Sequence, residues 1–237
     1  MSKRIEVCRR RGQGPAIALV GVALGVLVYA RRVLPRMRRW GATGAEVEGA
    51  YPGSEIIPDG HRWSTMAATL PAPPDQVWPW LVQMGYGRAG WYSWDRLDNW
   101  GHRSATRIHP EWQDISVGSR LPATADGTRA FVVAALEKNR FLALRSSYDL
   151  TGHQFDPAAG RPRHFTDSTW CFALNPTSSG GTRVVVSGYS AGAPAWFSRV
   201  TDPLIFEPAH YIMQRKQFRN LAQRVAVAAR EVSREGV

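Results

Sequence analysis

The feature that most constrains this chain is its C-terminal end, a single long amphipathic stretch preceded by a run of short strands. Over about 203–233, Tyr211, Phe218, Leu221, Val225, Ala229 and Val232 recur at spacings of three, four or seven. Arg215, Lys216, Arg219, Arg224 and Arg230 fill much of the remainder. That period predicts one helix with an apolar stripe that needs a partner surface. Upstream, 116–121, 129–136, 141–147, 168–174 and 182–189 are short, rich in branched or aromatic residues, and separated by turn-forming residues, which predicts antiparallel strands. Trp170, Phe172 and Leu174 share one strand face.

Before these strands lies 63–70, a strand-like run ending at Pro71. Ala72-Pro73-Pro74-Asp75 then opens a helix in which Val77, Leu81 and Met84 form the apolar face. Pro79 interrupts it, and Gly85, Gly87 and Gly90 end it. The expected class is therefore α+β: a curved antiparallel sheet wrapped around a long C-terminal helix. A curved sheet cannot touch a straight cylinder everywhere, so a cavity is expected between them.

The net charge of +11 resembles a nucleic-acid signature until it is located. Lys3, Arg4, Arg9, Arg10 and Arg11 stand on one side of an apolar run, and Arg31, Arg32, Arg36, Arg38 and Arg39 on the other, against Glu6 alone. The rest of the chain is nearly balanced, so no nucleic-acid partner is expected. Gly14–Ala30 carries no charge and as a helix would span roughly 25 Å, a little less than a hydrocarbon core of about 30 Å. Snorkelling of Arg31 and Arg32 would let Val33 and Leu34 make up the deficit. An uncleaved anchor, a cleaved signal peptide and a buried helix all compete for this segment. The anchor is preferred, because the residues around Ala30 fit a cleavage site loosely and a buried helix would not be bracketed by cations. The two basic flanks are equal, so the side of the membrane is left open. Gly21 and Gly25 form a GxxxG spacing through which helices can self-associate. The expected organisation is a basic-flanked transmembrane anchor over 1–38, a linker or an entry segment lying on the domain over 39–62, and one domain over 63–233.

Several passages then show a resemblance. Leu70-Pro-Ala-Pro-Pro-Asp-Gln-Val-Trp78 with Pro79-Trp80-Leu81, Gly85–Gly90 followed by Trp91-Tyr92-Ser93-Trp94-Asp95, Trp170–Leu174 with Pro176, and Tyr211–Lys216 resemble the START-like, helix-grip superfamily, also labelled SRPBCC or polyketide cyclase/dehydrase and lipid-transport proteins. The first and last passages are similar to an uncharacterised, often membrane-attached bacterial subgroup. The resemblance covers roughly 63–232 and implies the fold and a hydrophobic pocket, but not one reaction.

Candidate ligand-binding residues are Trp91, Tyr92, Trp94, Phe131, Trp170, Phe172, Tyr189, Tyr211 and Phe218, which offer flat apolar surfaces. Asp95 and His210 are candidate polar handles. Asp95 and Asp98 could act as an acid/base pair, although Arg88, Arg96 and Arg103 nearby favour ordinary ion pairs. Arg145 could bind a ligand's acid group, or simply face solvent. The histidines show no metal-ligand spacing, Cys8 and Cys171 are too isolated for a disulfide framework or zinc site, and no nucleophile or phosphate-loop motif occurs in a suitable context. No catalytic residue, metal or cofactor is expected. The preferred function is membrane-tethered binding or transfer of a lipid, polyketide-like or other apolar molecule. The alternatives are a cyclase/dehydratase-like enzyme using a cavity Asp, His or Tyr, and an interaction domain with a filled core.

Overall fold

The computed structural model describes residues 13–235, with side chains over 20–230. Cys8 and the first basic flank lie outside the described residues. The chain divides into two compact units, 1–36 and 37–237.

In the first unit, α1 spans Gln13–Val28, a π-helical turn follows over Tyr29–Val33, and α2 (Leu34–Arg38) begins. The expected helicity of the apolar run is present, but the spanning length is not. No helix among the described residues is long and apolar enough to cross a membrane.

The second unit holds the α+β arrangement. After the short helix α3 (Gly44–Glu48) come β1 (His61–Leu70), α4 (Pro74–Val82) and a one-turn α5 (Asp95–Asp98). The strands β2 (Arg120–Pro122), β3 (Ala130–Glu137), β4 (Phe141–Asp149), β5 (Phe165–Pro176) and β6 (Thr182–Ala193) follow. Helix α6 (Ala195–Thr201) and a π-helical turn over Asp202–Phe206 lead into α7 (Glu207–Glu235). One six-stranded sheet results, in the order β1-β6-β5-β4-β3-β2, with every pairing antiparallel. The expected strand over 116–121 shrinks to three residues, because Ser116–Ser119 closes into a turn with Gly118 at φ +90°. The final helix starts later than expected, with Pro208 at its second position.

Period-two alternation divides the sheet into two faces. Leu142, Leu144, Phe172, Leu174, Val184 and Val186 join Met66 and Leu70 on the inner face. Phe218, Leu221 and Val225 of α7 and Trp80 and Leu81 of α4 close the core over it. The stripe read from the sequence is thus the packing face of α7.

The segment expected to be a linker or an entry segment lying on the domain runs as a strap over it. Ala67 donates its amide to the Trp40 carbonyl, so the strap runs beside β1, an edge strand whose unpaired amides would otherwise be open. Gly41 has φ +72°, and a Cβ there would overlap the Ala67 carbonyl. Thr43 and Glu46 form a capping box on α3. Glu46 then takes Arg183 of β6 at 2.7 and 2.8 Å, which holds its carboxyl down at about 2. Beyond α3, Arg62 donates to the Val47 and Gly49 carbonyls.

Candidate functional site

Between the sheet's inner face and α7, six rings form one connected cluster. Trp91 meets Phe131 at 5.2 Å and Trp170 at 5.9 Å, and Trp170 meets Phe172 at 4.6 Å. His210, in the first turns of α7, lies 6.4 Å from Trp170 and 4.4 Å from Trp63, edge to face with both. The rings come from several elements. Trp170 and Phe172 are alternate residues of β5, and Phe131 comes from β3. Trp63 is the extra residue of a β-bulge, since Arg62 pairs with Tyr189 and Ser64 with Gly188. Its indole lies so close over Gly188 that a Cβ there would overlap it.

A polar line runs beside the rings. The Trp170 indole Nε1 donates to Gln214 Oε1 at 3.2 Å, Gln214 Nε2 to Gln217 Oε1 at 2.8 Å, and Gln217 Nε2 to the Trp91 carbonyl at 2.9 Å. Both glutamines are buried. His210, Gln214 and Gln217 are spaced i, i+4, i+7, so the inward face of α7 is polar in its first half and apolar in its second.

Two buried nitrogens beside this line have no hydrogen-bond partner among the described residues: Trp63 Nε1 and His210 Nε2. Buried polar atoms are almost always paired, so two on facing rings are noteworthy. His210 as a residue keeps some exposure, but Nε2 itself is enclosed, and burial pushes the imidazole down to about 3. At neutral pH the ring is uncharged.

Of the expected binding residues, Trp91, Phe131, Trp170 and Phe172 come together, with the expected handle His210. Tyr92 is buried outside the ring cluster, its hydroxyl accepting from Gln83 at 2.7 Å and its ring under Arg224; burial raises the phenol. Its φ of +57°, rare for a bulky residue, marks a sharp turn after Trp91. Trp94 is exposed beneath Lys216, and Tyr211 lies under Arg215. Phe218 is buried and stacks on Trp40 at 6.1 Å. Tyr189 falls on the outer face, where Arg62 donates to its hydroxyl, because one step along β6 reverses the side-chain direction. Trp63, Gln214 and Gln217 were not singled out from the sequence. The glutamines carry a visible signal, two amides on a helix face otherwise read as apolar.

Asp95 is a local brace, accepting from the Ser104 amide at 3.1 Å and hydroxyl at 2.6 Å. Asp98 has both carboxylate oxygens buried without a partner, and burial, helped by Asp95, raises it to about 6. The expected ion pairs with Arg88, Arg96 and Arg103 are not among those of the described residues. Arg88 instead donates to the Val82 and Trp112 carbonyls at 2.9 and 2.8 Å.

On the opposite face of β3 and β4, a cleft of about 1410 Å³ is lined by residues that include Ile56, Val117, Arg120, Val132, Arg145 and Phe155. Arg145 lines this cleft as part of an ion network within the protein. It grips buried Asp167 at 2.9 and 2.6 Å, joined by Ser147 at 2.8 Å and by Arg161, which reaches on to Asp59. Burial alone would raise the Asp167 carboxyl; these partners hold it below its usual range. Arg120 likewise donates to Gln154 at 2.8 Å. Arg145 and Arg120 are thus engaged with the protein itself, and Arg129 of the same cleft lies over the Tyr148 ring. Cys171 is buried, which pushes its thiol up to about 12 and makes it unreactive.

The fold and this site define an α+β protein whose antiparallel sheet holds its C-terminal helix over an aromatic interior with a polar seam. No protein-family model matches the sequence, and no curated protein matches it. Among solved structures, the chain is similar to a protein from Mesorhizobium loti, with 19% identity over 68% of this chain and 96% of that one, at a TM-score of 0.38. A protein from Nitrosospira multiformis shows 15% identity over 70% of this chain and 97% of that one, at a TM-score of 0.41. A protein of the dynemicin biosynthetic locus shows 13% identity at a TM-score of 0.38; the match covers 66% of this chain and 46% of that one. Similarities at these values transfer neither a family nor an activity.

Proposed function

We propose that the protein binds a small apolar molecule carrying one polar group, such as a hydroxyl, against the inner face of the sheet. The observation that carries this reading is the pair of unpartnered nitrogens set among aromatic rings. A hydroxyl can accept from the Trp63 indole N–H and also donate to an unprotonated nitrogen of His210, so one group satisfies both. The rings of Trp91, Phe131, Trp170 and Phe172 would take the apolar body, at about 25 cal/mol for each Å² removed from water. Binding is favoured over proton-transfer catalysis because His210 is the only titratable side chain in this ring cluster among the described residues. A general acid/base mechanism would ordinarily bring a second such group within reach.

The charge pattern around Gly14–Ala30 supports a site of action at a membrane, where an apolar ligand is concentrated. Native mass spectrometry of the full chain after gentle detergent extraction tests the ligand reading. An apolar mass should accompany the wild type and be lost or reduced at least tenfold in Trp63→Phe and His210→Phe. Bare wild-type protein from several membrane sources, or equal retention by both variants, would overturn it.

A further inference from the structure

One corner of the second unit exposes an apolar surface that the core does not use. Trp196 and Val200 of α6, Leu204, Ile205 and Phe206 of the π-helical turn, and Ile212 of α7 are each more than half exposed, from 52% to 67%. Three of them are consecutive, so no rotation of this segment could bury them all. Isolated apolar side chains on a surface are ordinary; a grouped set at the end of one element marks a contact surface.

Three further observations say what covers it. The acids of the corner are withdrawn: Glu207 is 5% exposed, held by Arg38 at 2.6 and 2.8 Å, and burial raises the carboxyl of part-buried Asp202. The neighbouring charges are cationic, with Arg199 among the apolar residues of α6 and Lys216 one turn beyond Ile212. The chain also enters the unit here, because Arg38 binds the residue directly after Phe206. In sequence, the apolar run Gly14–Ala30 precedes this entry point. A lipid surface with anionic headgroups fits all three: apolar side chains enter the interface, tryptophan sits at its boundary, and cations meet the headgroups.

We infer that the corner formed by Trp196, Val200, Leu204–Phe206 and Ile212 is a second membrane contact, seating the domain on an anionic bilayer. This rests on the membrane half of the proposed function and not on the ligand half. The full chain, with Cys8→Ser, would carry a thiol-reactive fluorophore at Ile205→Cys or, as control, at Asp126→Cys in the distant β2–β3 turn. Cosedimentation with vesicles of phosphatidylcholine and phosphatidylglycerol reads membrane association by itself. Nitroxide-labelled lipids then read depth. The label at 205 should be quenched at least threefold more strongly than that at 126. Association with equal quenching at the two positions overturns this inference while leaving the membrane reading intact, and absence of association overturns both. Lipid-independent excimer formation between pyrene labels at 205 would show that a second copy covers the face, and would also overturn it.

Discussion

His210 and Asp98 are two uncomfortable residues whose effects on stability run in opposite directions with pH. The His210 imidazole titrates near 3 in the folded chain against an ordinary 6.5. Between those values the unfolded chain takes up a proton that the native ring refuses, so stability falls as pH drops through that window. His210→Phe should flatten the decline, which urea titrations at pH 7, 5 and 4 would measure. Asp98, raised to about 6 from 3.8, does the reverse: the native carboxyl keeps its proton to higher pH, so stability falls as pH rises from about 4 to 6. Asp98→Asn should therefore stabilise the protein at pH 7.5 by at most ~1 kcal/mol, since the residue as a whole is only part-buried. The gain should vanish near pH 3.5. Neither residue's state could be read from the chain alone. A histidine beside an apolar stripe and an aspartate among arginines look alike whether buried or wet; enclosure by distant elements decides.

At the scale of elements, α7 and the strands were legible because burial imposes a period on sequence, 3.6 on one and two on the others. What the period did not reveal was the partner of each face. Tyr189 is the single aromatic of β6 yet points outward, and Trp63 points inward only because a bulge offsets it from Arg62. Bulges depend on the pairing of β1 with β6, more than a hundred residues apart, and leave no local mark. The outer face is equally specific. Asp167→Asn would leave the Arg145 and Arg161 guanidinium groups without their shared carboxylate, and should cost about 3 kcal/mol or more, read as a lowered denaturation midpoint. Changing Arg145→Met and Asp167→Leu together should cost less than the sum of the single changes.

For the whole molecule, the order of elements was apparent from composition and spacing, whereas 40–60 read equally as a linker or as an entry segment lying on the domain. Its glycines, prolines and acids suit a flexible connection, and it takes contacts with Arg62, Arg183, Ala67 and Phe218 to make it part of the domain. A chain starting at residue 37 should fold and remain monodisperse in size-exclusion chromatography. One starting at residue 61 should melt several degrees lower and aggregate, since β1 becomes an open edge. Similar melting of the two would show that the strap adds nothing.

That strap also governs how the fold bears load. Arg38 is clamped to α7 through Glu207, while Trp40 is held both to β1, by its carbonyl, and to Phe218, by its ring. A pull arriving from upstream is consequently divided between helix and sheet at the point of attachment. Peeling the first strand away would require several bonds to shear together, so the domain should resist tension on its N-terminal side better than a strand joined directly to its tether.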